Sequence, residues 1–286
     1  MILDKAEAGL GSRPDALPTL RACAPTSQTV PLKMILQQFQ LGGKVAIVTG
    51  CDTGLGQGMA RALAQAGADI VGVNVSAPTE TQAQIEALGR RFLDLRANLG
   101  SIDCIEGLMK QALELAGHVD ILVNNAGIIR REDAIKFSEK DWDDVIDINL
   151  KSVFFFAQAA ARQYLAQGTG GKIINVASML SFQGGVRVPS YTASKSGVMG
   201  ITRLMANEWA GHRINVNAIA PGYMATNNTA ALRADEGRNA SILERIPAGR
   251  WGVPDDLAGP VVFLASQASD YVNGYTVAVD GGWLAR

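Results

Sequence analysis

Tyr191 and Lys195 stand four residues apart in a helix-prone stretch, and Ser178 closes a short apolar run just upstream. On a helix, positions i and i+4 share one face, so this spacing places the Lys195 ammonium beside the Tyr191 phenol. A phenol ionises near ~10 in isolation, and a neighbouring cation favours the phenolate and lowers that value. The tyrosine then becomes a usable acid or base, while the Ser178 hydroxyl can bond a substrate oxygen where the proton moves. Tyr-x-x-x-Lys also occurs as a plain surface pair, so its meaning depends on the elements that hold it.

Those elements are regular from Lys44 onward. Short Val/Ile/Leu runs at 45–49, 70–75, 92–95, 121–123, 172–176, 214–218 and 276–279 alternate with longer helical patterns. Continuous apolar runs of this length suit strands buried on both faces. The pattern predicts an α/β fold: a single doubly wound, Rossmann-type parallel sheet of about seven strands, with helices on both faces and ligands gathered at the carboxyl ends of the strands. Residues 1–33 differ. They hold Pro14, Pro18, Pro25 and Pro31 without sustained periodicity, which predicts a disordered N-terminal extension ahead of one domain at 34–286. Met34-Ile35-Leu36 echoes Met1-Ile2-Leu3, so translation is expected to start at Met34.

The first strand runs into Thr49-Gly50-Cys51-Asp52-Thr53-Gly54-Leu55-Gly56, and an Ala-rich helical pattern follows at 55–66. Glycines let a backbone turn sharply against a pyrophosphate, and the helix start meets its charge with unpaired N–H groups. Gly50, Asp52, Thr53, Gly54, Leu55 and Gly56 are therefore expected to line a dinucleotide site. Asn74 ends the second strand, where such sites commonly place a carboxylate for the adenosine ribose. It can accept a ribose hydroxyl, no Arg or Lys adjoins it, and Asp52 would repel a 2′-phosphate. NAD is the expected cofactor.

With 26 basic and 27 acidic residues scattered along the chain, no basic field exists for a nucleic-acid backbone. Three cysteines without C-x-x-C spacing argue against a disulfide framework and a zinc site, so no metal is expected and a reducing cytoplasm fits. No apolar run approaches a membrane span. His118 and His212 each end a helical pattern, which a C-terminal cap explains.

Several motifs occur in order: the 49–56 loop, Asn124-Asn125-Ala126-Gly127, Asn149, Ser178, Tyr191-x-x-x-Lys195, and Pro221-Gly222 with Thr226. Over roughly residues 38–286 the chain thereby resembles the short-chain dehydrogenases/reductases. The resemblance implies that Asn125, Ala126 and Gly127 line the adenine-ribose side and that Pro221, Gly222 and Thr226 border the nicotinamide. It implies that Asn149 holds a water in a proton relay to Lys195, and that Lys195 bonds the nicotinamide ribose. Ser178 would steady the substrate carbonyl while Tyr191 gives or takes the proton. Asn98 stands where the family often has Asp near adenine.

Further stretches, Ile129-Arg130-Arg131-Glu132-Asp133-Ala134 and Ser178 to Gly185 among them, are similar to family members that act on keto-deoxy sugar acids of pectin and uronate breakdown. That implies interconversion of a 5-keto and a 5-hydroxy group with NAD(H), and a homotetramer. Val279 to Trp283 is expected near one of its interfaces, and the small residues of the Tyr191 helix are expected to admit another helix. A sugar acid needs a cation for its carboxylate. The expected pocket segments offer Arg130, Arg131, Gln183 and Arg187 beside Ser178; Arg187 is the first expectation, while the adjacent Arg130 and Arg131 also fit solvated loop charges. Residues 223–250, with a helical patch at 232–246, are expected to form a lid. Two other functions fit the same fold: a 3-oxoacyl carrier-protein reductase, and a redox sensor that binds the dinucleotide without turnover.

Overall fold

Each apolar run becomes a strand because its side chains find cover on both faces of one sheet. The computed structural model describes residues 34–286. The disordered extension expected at 1–33, and the start at Met34 inferred from it, lie outside the described residues. The strands are β1 (Val45–Thr49), β2 (Asp69–Asn74), β3 (Phe92–Arg96), β4 (Ile121–Asn124), β5 (Gly171–Val176), β6 (Ile214–Pro221) and β7 (Thr276–Val279). All pair in parallel, in the order β3-β2-β1-β4-β5-β6-β7. Residues 35–286 form one compact unit.

Alternation along β1 divides the core in two. Ala46 and Val48 join the helices α1 (Gly54–Gln65) and α9 (Ala258–Ala265) on one face. Val45 and Ile47 join α3 (Ile105–Ala116), α5 (Ser152–Gln167) and α6 (Pro189–Trp209) on the other. The remaining helices are α2 (Thr79–Ala87), α4 (Glu139–Ile146), α7 (Ala230–Ala234) and α8 (Glu236–Arg245). No described helix is long and apolar enough to cross a membrane.

The chain winds outward from β1 through β2 to β3, then returns to place β4 on the other side of β1. At this reversal the loops leaving β1 and β4 diverge to opposite faces and open a crevice at the carboxyl edge. Two local departures matter there. The helical patch expected at 232–246 is broken at Asp235, whose carboxylate accepts from Arg238 N at 2.9 Å and starts α8 afresh. Between α4 and α5 the turn Asp147–Lys151 is π-helical, a widening that turns Asn149 inward, fully buried.

Candidate active site

Thr49 joins the two central strand ends. Its hydroxyl accepts from the N–H groups of Asn125 and Ala126 at 3.0 and 2.9 Å. The Asn125 amide donates to the carbonyls of Thr49 and Gly50 at 3.0 and 2.8 Å. Loops β1–α1 and β4–α4 are thereby tied together, and Asn124 extends the tie to Asn175 on β5 at 3.0 Å. Thr49 was not anticipated as a site residue; the signal was a lone hydroxyl ending an apolar strand.

The β1–α1 loop fits a pyrophosphate on its own geometry. Gly50 and Gly54 take positive φ, 63° and 59°. A Cβ on Gly56 would collide with the Gly50 carbonyl oxygen and stand 2.5 Å from Asn125 Nδ2. Thr53, the N-cap of α1, makes no side-chain cap, so the first-turn N–H groups remain available to an anion. Gly50, Asp52, Thr53, Gly54, Leu55 and Gly56 line one large cleft together with Asn98, Asn125, Ala126, Gly127, Gly222 and Thr226. Its volume of about 1010 Å³ lies at the upper end of the roughly 300–1,000 Å³ range of ligand sites. Pro221 closes β6 behind Gly222 and does not reach the wall. Cys51, buried beneath the loop, has its thiol pushed up to about 12 by burial and is inert.

Asn74 departs from expectation. Its Oδ1 accepts from Cys51 N at 2.8 Å and its Nδ2 faces Asp94 at 3.5 Å, so it braces the loop from behind. Side chains alternate along a strand, and the cleft-facing neighbours are Val73 and Val75. At the rim the Ser76 hydroxyl donates to Asp52 Oδ2 at 2.5 Å.

Further along the cleft stand Ser178, Tyr191 and Lys195. Ser178 follows β5 and its hydroxyl accepts from Leu180 N at 3.1 Å. Lys195 is 4 % exposed, and its Nζ donates to Val176 O at 2.6 Å and lies 5.7 Å from the Tyr191 ring centroid. Burial alone pulls the Lys195 ammonium down to about 8. Tyr191 is held above the usual phenol range by burial, against opposing pulls from the Ser178 hydrogen bond and the Arg131 charge. The expected depression by Lys195 is therefore absent. The ammonium turns to the β5 carbonyl and over the ring rather than to the phenol oxygen. Asn149 clamps Ile128 in both directions, accepting from its N at 2.8 Å and donating to its O at 2.9 Å, and reaches Ser194 of α6 at 3.4 Å.

Two of the arginines are placed differently from the sequence expectation. Arg130 lies off the cleft, 3.4 Å from Asp141 and 3.8 Å from Asp144. Arg187 lines the cleft at a left-handed φ of 63°, but its guanidinium is spent on Asp133 at 2.9 Å and Glu132 at 3.3 Å. Gln183 lines the cleft. Besides Lys195, the cleft cations without a carboxylate partner among the described residues are Arg131, Arg238 and Arg245. Segment 223–250 borders the same cleft. Its ends are joined by Ala225 N donating to Gly252 O at 2.7 Å and Gly252 N to Tyr223 O at 2.9 Å, and Arg131 reaches Asn228 O at 3.4 Å. Gly197 of α6 abuts Leu150 of the same chain, which accounts for that small residue without a second subunit. Trp283, expected at an interface, is buried within its own chain and on the cleft wall. His118 and His212 stand outside the cleft.

A family model described as enoyl-(acyl carrier protein) reductase matches residues 50–284. The 2-dehydro-3-deoxy-D-gluconate 5-dehydrogenase of Escherichia coli (strain K12) is 75% identical over 253 residues, 88% of this chain and 100% of the relative. The protein of that name from Bacillus subtilis (strain 168) is 55% identical over 249 residues, 87% of this chain and 97% of its own. Among solved structures, a gluconate 5-dehydrogenase from Burkholderia cenocepacia J2315 in complex with NADP and tartrate superposes with a TM-score of 0.84 at 37% identity, covering 88% of this chain and 100% of that one. With this cleft, this order of motifs and these relatives, the chain belongs to the short-chain dehydrogenase/reductase family, whose oxidoreductases use a nicotinamide dinucleotide.

Proposed function

We propose that the protein reduces 3-deoxy-D-glycero-2,5-hexodiulosonate at C5 to 2-dehydro-3-deoxy-D-gluconate, as the names of its E. coli and B. subtilis relatives suggest. The observation that carries this reading is one cleft that joins a phosphate loop to Ser178, Tyr191 and Lys195 and brings three unpaired arginines to a small anionic substrate. A bound nicotinamide dinucleotide supplies the hydride to the ketone carbon. Ser178 orients the ketone oxygen, Tyr191 delivers the proton to it, and Lys195 holds the ribose side and recharges the phenol through the wall that Asn149 fixes. Arg131, close enough to act on the Tyr191 phenol, stands at the reacting end and favours negative charge there. Segment 223–250 serves as the lid that excludes water.

NAD is the proposed dinucleotide. The end of β2 offers exposed Val75 and the Ser76–Asp52 pair, a carboxylate where a 2′-phosphate would need a cation. The Burkholderia relative was solved with NADP, so both donors belong in the test. A homotetramer in the cytoplasm, in pectin and uronate breakdown, completes the reading. Outward-facing Gly200 and half-exposed Leu204 on α6 leave a face for a second helix. Light scattering checks the assembly, and a monomer would remove it.

Steady-state oxidation of NADH and of NADPH by the sugar acid, beside acetoacetyl thioester, tests the function. Turnover of the sugar acid with NADH supports it. Thioester reduction with NADPH and an inert sugar acid would move it to a carrier-protein reductase.

A pH effect follows from Lys195. Its folded-state value of about 8 means that the ammonium is charged below that pH and neutral above it. Tyr191, held above the phenol range, stays protonated throughout neutral pH. The expected kcat/KM for reduction is flat below pH 8 and falls above it toward about tenfold per unit. A profile still flat at pH 9.5 would remove the charged Lys195 from the mechanism.

A further inference from the structure

We infer that Trp283 and Arg245 form the far end of the substrate site and hold the carboxylate of the sugar acid there, an assignment that rests on the sugar-acid reading above. Trp283 lies in the last turn of the chain, Trp283–Ala285, and is 4 % exposed. Its indole Nε1–H is buried and has no acceptor among the described residues. A tryptophan retained only to fill space would carry an unpaired buried donor, which is a net cost to the fold. An oxygen supplied from the cleft removes that cost, and Trp283 is on the cleft wall.

Arg245 supplies the matching charge. Its guanidinium carbon is 3.9 Å from the centroid of the Trp283 ring, at the end of α8, and it too lines the cleft. Stacking on the ring takes up the flat faces of the guanidinium and leaves its in-plane N–H fork free. No carboxylate of the described residues occupies that fork. An indole N–H beside an in-plane guanidinium fork is a donor set for a carboxylate, with two oxygens to satisfy both partners.

The position suits the carboxylate rather than the ketone. Trp283 packs in one cluster with Met179, Ile242 and Ile246, with Leu180 and Tyr223 against it. Met179 directly follows Ser178, so the pair stands one side chain beyond the reacting group, on the lid side. Arg131, on the cleft wall and 3.4 Å from Asn228 O, is the cation whose charge acts on the Tyr191 phenol. In a 2,5-diketo six-carbon acid the carboxylate is four carbons from the reacting ketone, so a cation beyond Met179 suits the carboxylate rather than the ketone. Arg187, the arginine favoured from sequence, is excluded because Glu132 and Asp133 already occupy it.

The test uses the full chain with Trp283→Phe, Arg245→Met and both together, measuring KM and kcat for the sugar acid, NADH affinity by nicotinamide fluorescence, and the unfolding midpoint. Phenylalanine keeps a ring for Arg245 but removes the N–H donor and part of the buried ring, which is why the unfolding midpoint is read beside KM. The expected result is a KM for the sugar acid raised about tenfold in Trp283→Phe and at least tenfold in Arg245→Met. NADH affinity stays at the wild-type level, and the double variant falls short of the product of the singles because both groups bind one carboxylate. A purely structural role predicts instead a lowered midpoint with an unchanged KM. Wild-type KM in both single variants, with the wild type active on the acid, would overturn the inference alone. A wild type that neither binds nor reduces the acid would overturn the substrate reading and the inference with it.

Discussion

Tyr191→Phe is expected to lower kcat for ketone reduction by about 10²–10⁴ while NADH still binds. The substitution removes one oxygen and leaves the ring beneath the Lys195 ammonium, which keeps its bond to Val176 O at 2.6 Å. The loop after β1 is held by Thr49 and Asn125, and none of these hydrogen bonds involves Tyr191. What disappears is the proton donor. No histidine lines the cleft to replace it, and Lys195, although able to lose a proton near pH 8, is turned to a backbone carbonyl. The measurement is single-turnover NADH oxidation beside an NADH titration. Near-wild-type turnover would remove Tyr191 from the chemistry. Loss of NADH binding would show that the phenol holds the cleft together instead. The same result separates the enzyme from a redox sensor, for which the phenol oxygen has no task.

The sheet was legible because continuous apolar runs have few alternatives: buried on both faces, they must be central parallel strands. The tight glycine turn after β1 was legible because its glycines answer steric demands confined to a few neighbouring residues. What escaped was set by direction and by partners distant in sequence. Asn74 ends the right strand, yet a one-residue step along a strand reverses the side chain, so Val75 rather than Asn74 faces the cleft. Arg187 sits in the right loop, but two acids 54 and 55 residues upstream occupy it. The pairing that neutralises Arg187 and spares Arg131 depends on how the loops after β4 and β5 lie against each other. Residue spacing within either loop is blind to that. The i,i+4 rule placed Lys195 against the Tyr191 ring correctly but could not say that the β5 carbonyl would claim its ammonium. Trp283 and Arg245 had no local signal at all, since their meeting requires α8 and the last turn, Trp283–Ala285, to fold over Met179.

Gly56→Ala is expected to weaken NADH binding at least tenfold and to lower the unfolding midpoint, although the change adds a single methyl group. The new Cβ would overlap the Gly50 carbonyl oxygen and press on Asn125 Nδ2 at 2.5 Å. Neither neighbour can retreat cheaply. The Gly50 carbonyl accepts from Asn125, the Gly50 N–H donates to Val73 O at 2.8 Å, and Asn125 is bound in turn to Thr49. Overpacking of this kind costs about 1–3 kcal/mol, which for a chain of this size corresponds to a fall of roughly 2–10 °C. Relief requires α1 to withdraw from the loop. Its uncapped first-turn N–H groups then move away from the place where a pyrophosphate would meet them. Affinity and stability therefore fall together, in contrast to Tyr191→Phe, which separates turnover from both. Gly54→Ala provides the internal comparison. Its Cβ meets nothing closer than Thr226 Cγ2 at 3.7 Å, so any loss there comes from the positive φ of 59° and not from collision. Titration of NADH and thermal unfolding of both variants decide the matter. A Gly56→Ala protein with wild-type NADH affinity would mean that the turn does not hold the pyrophosphate.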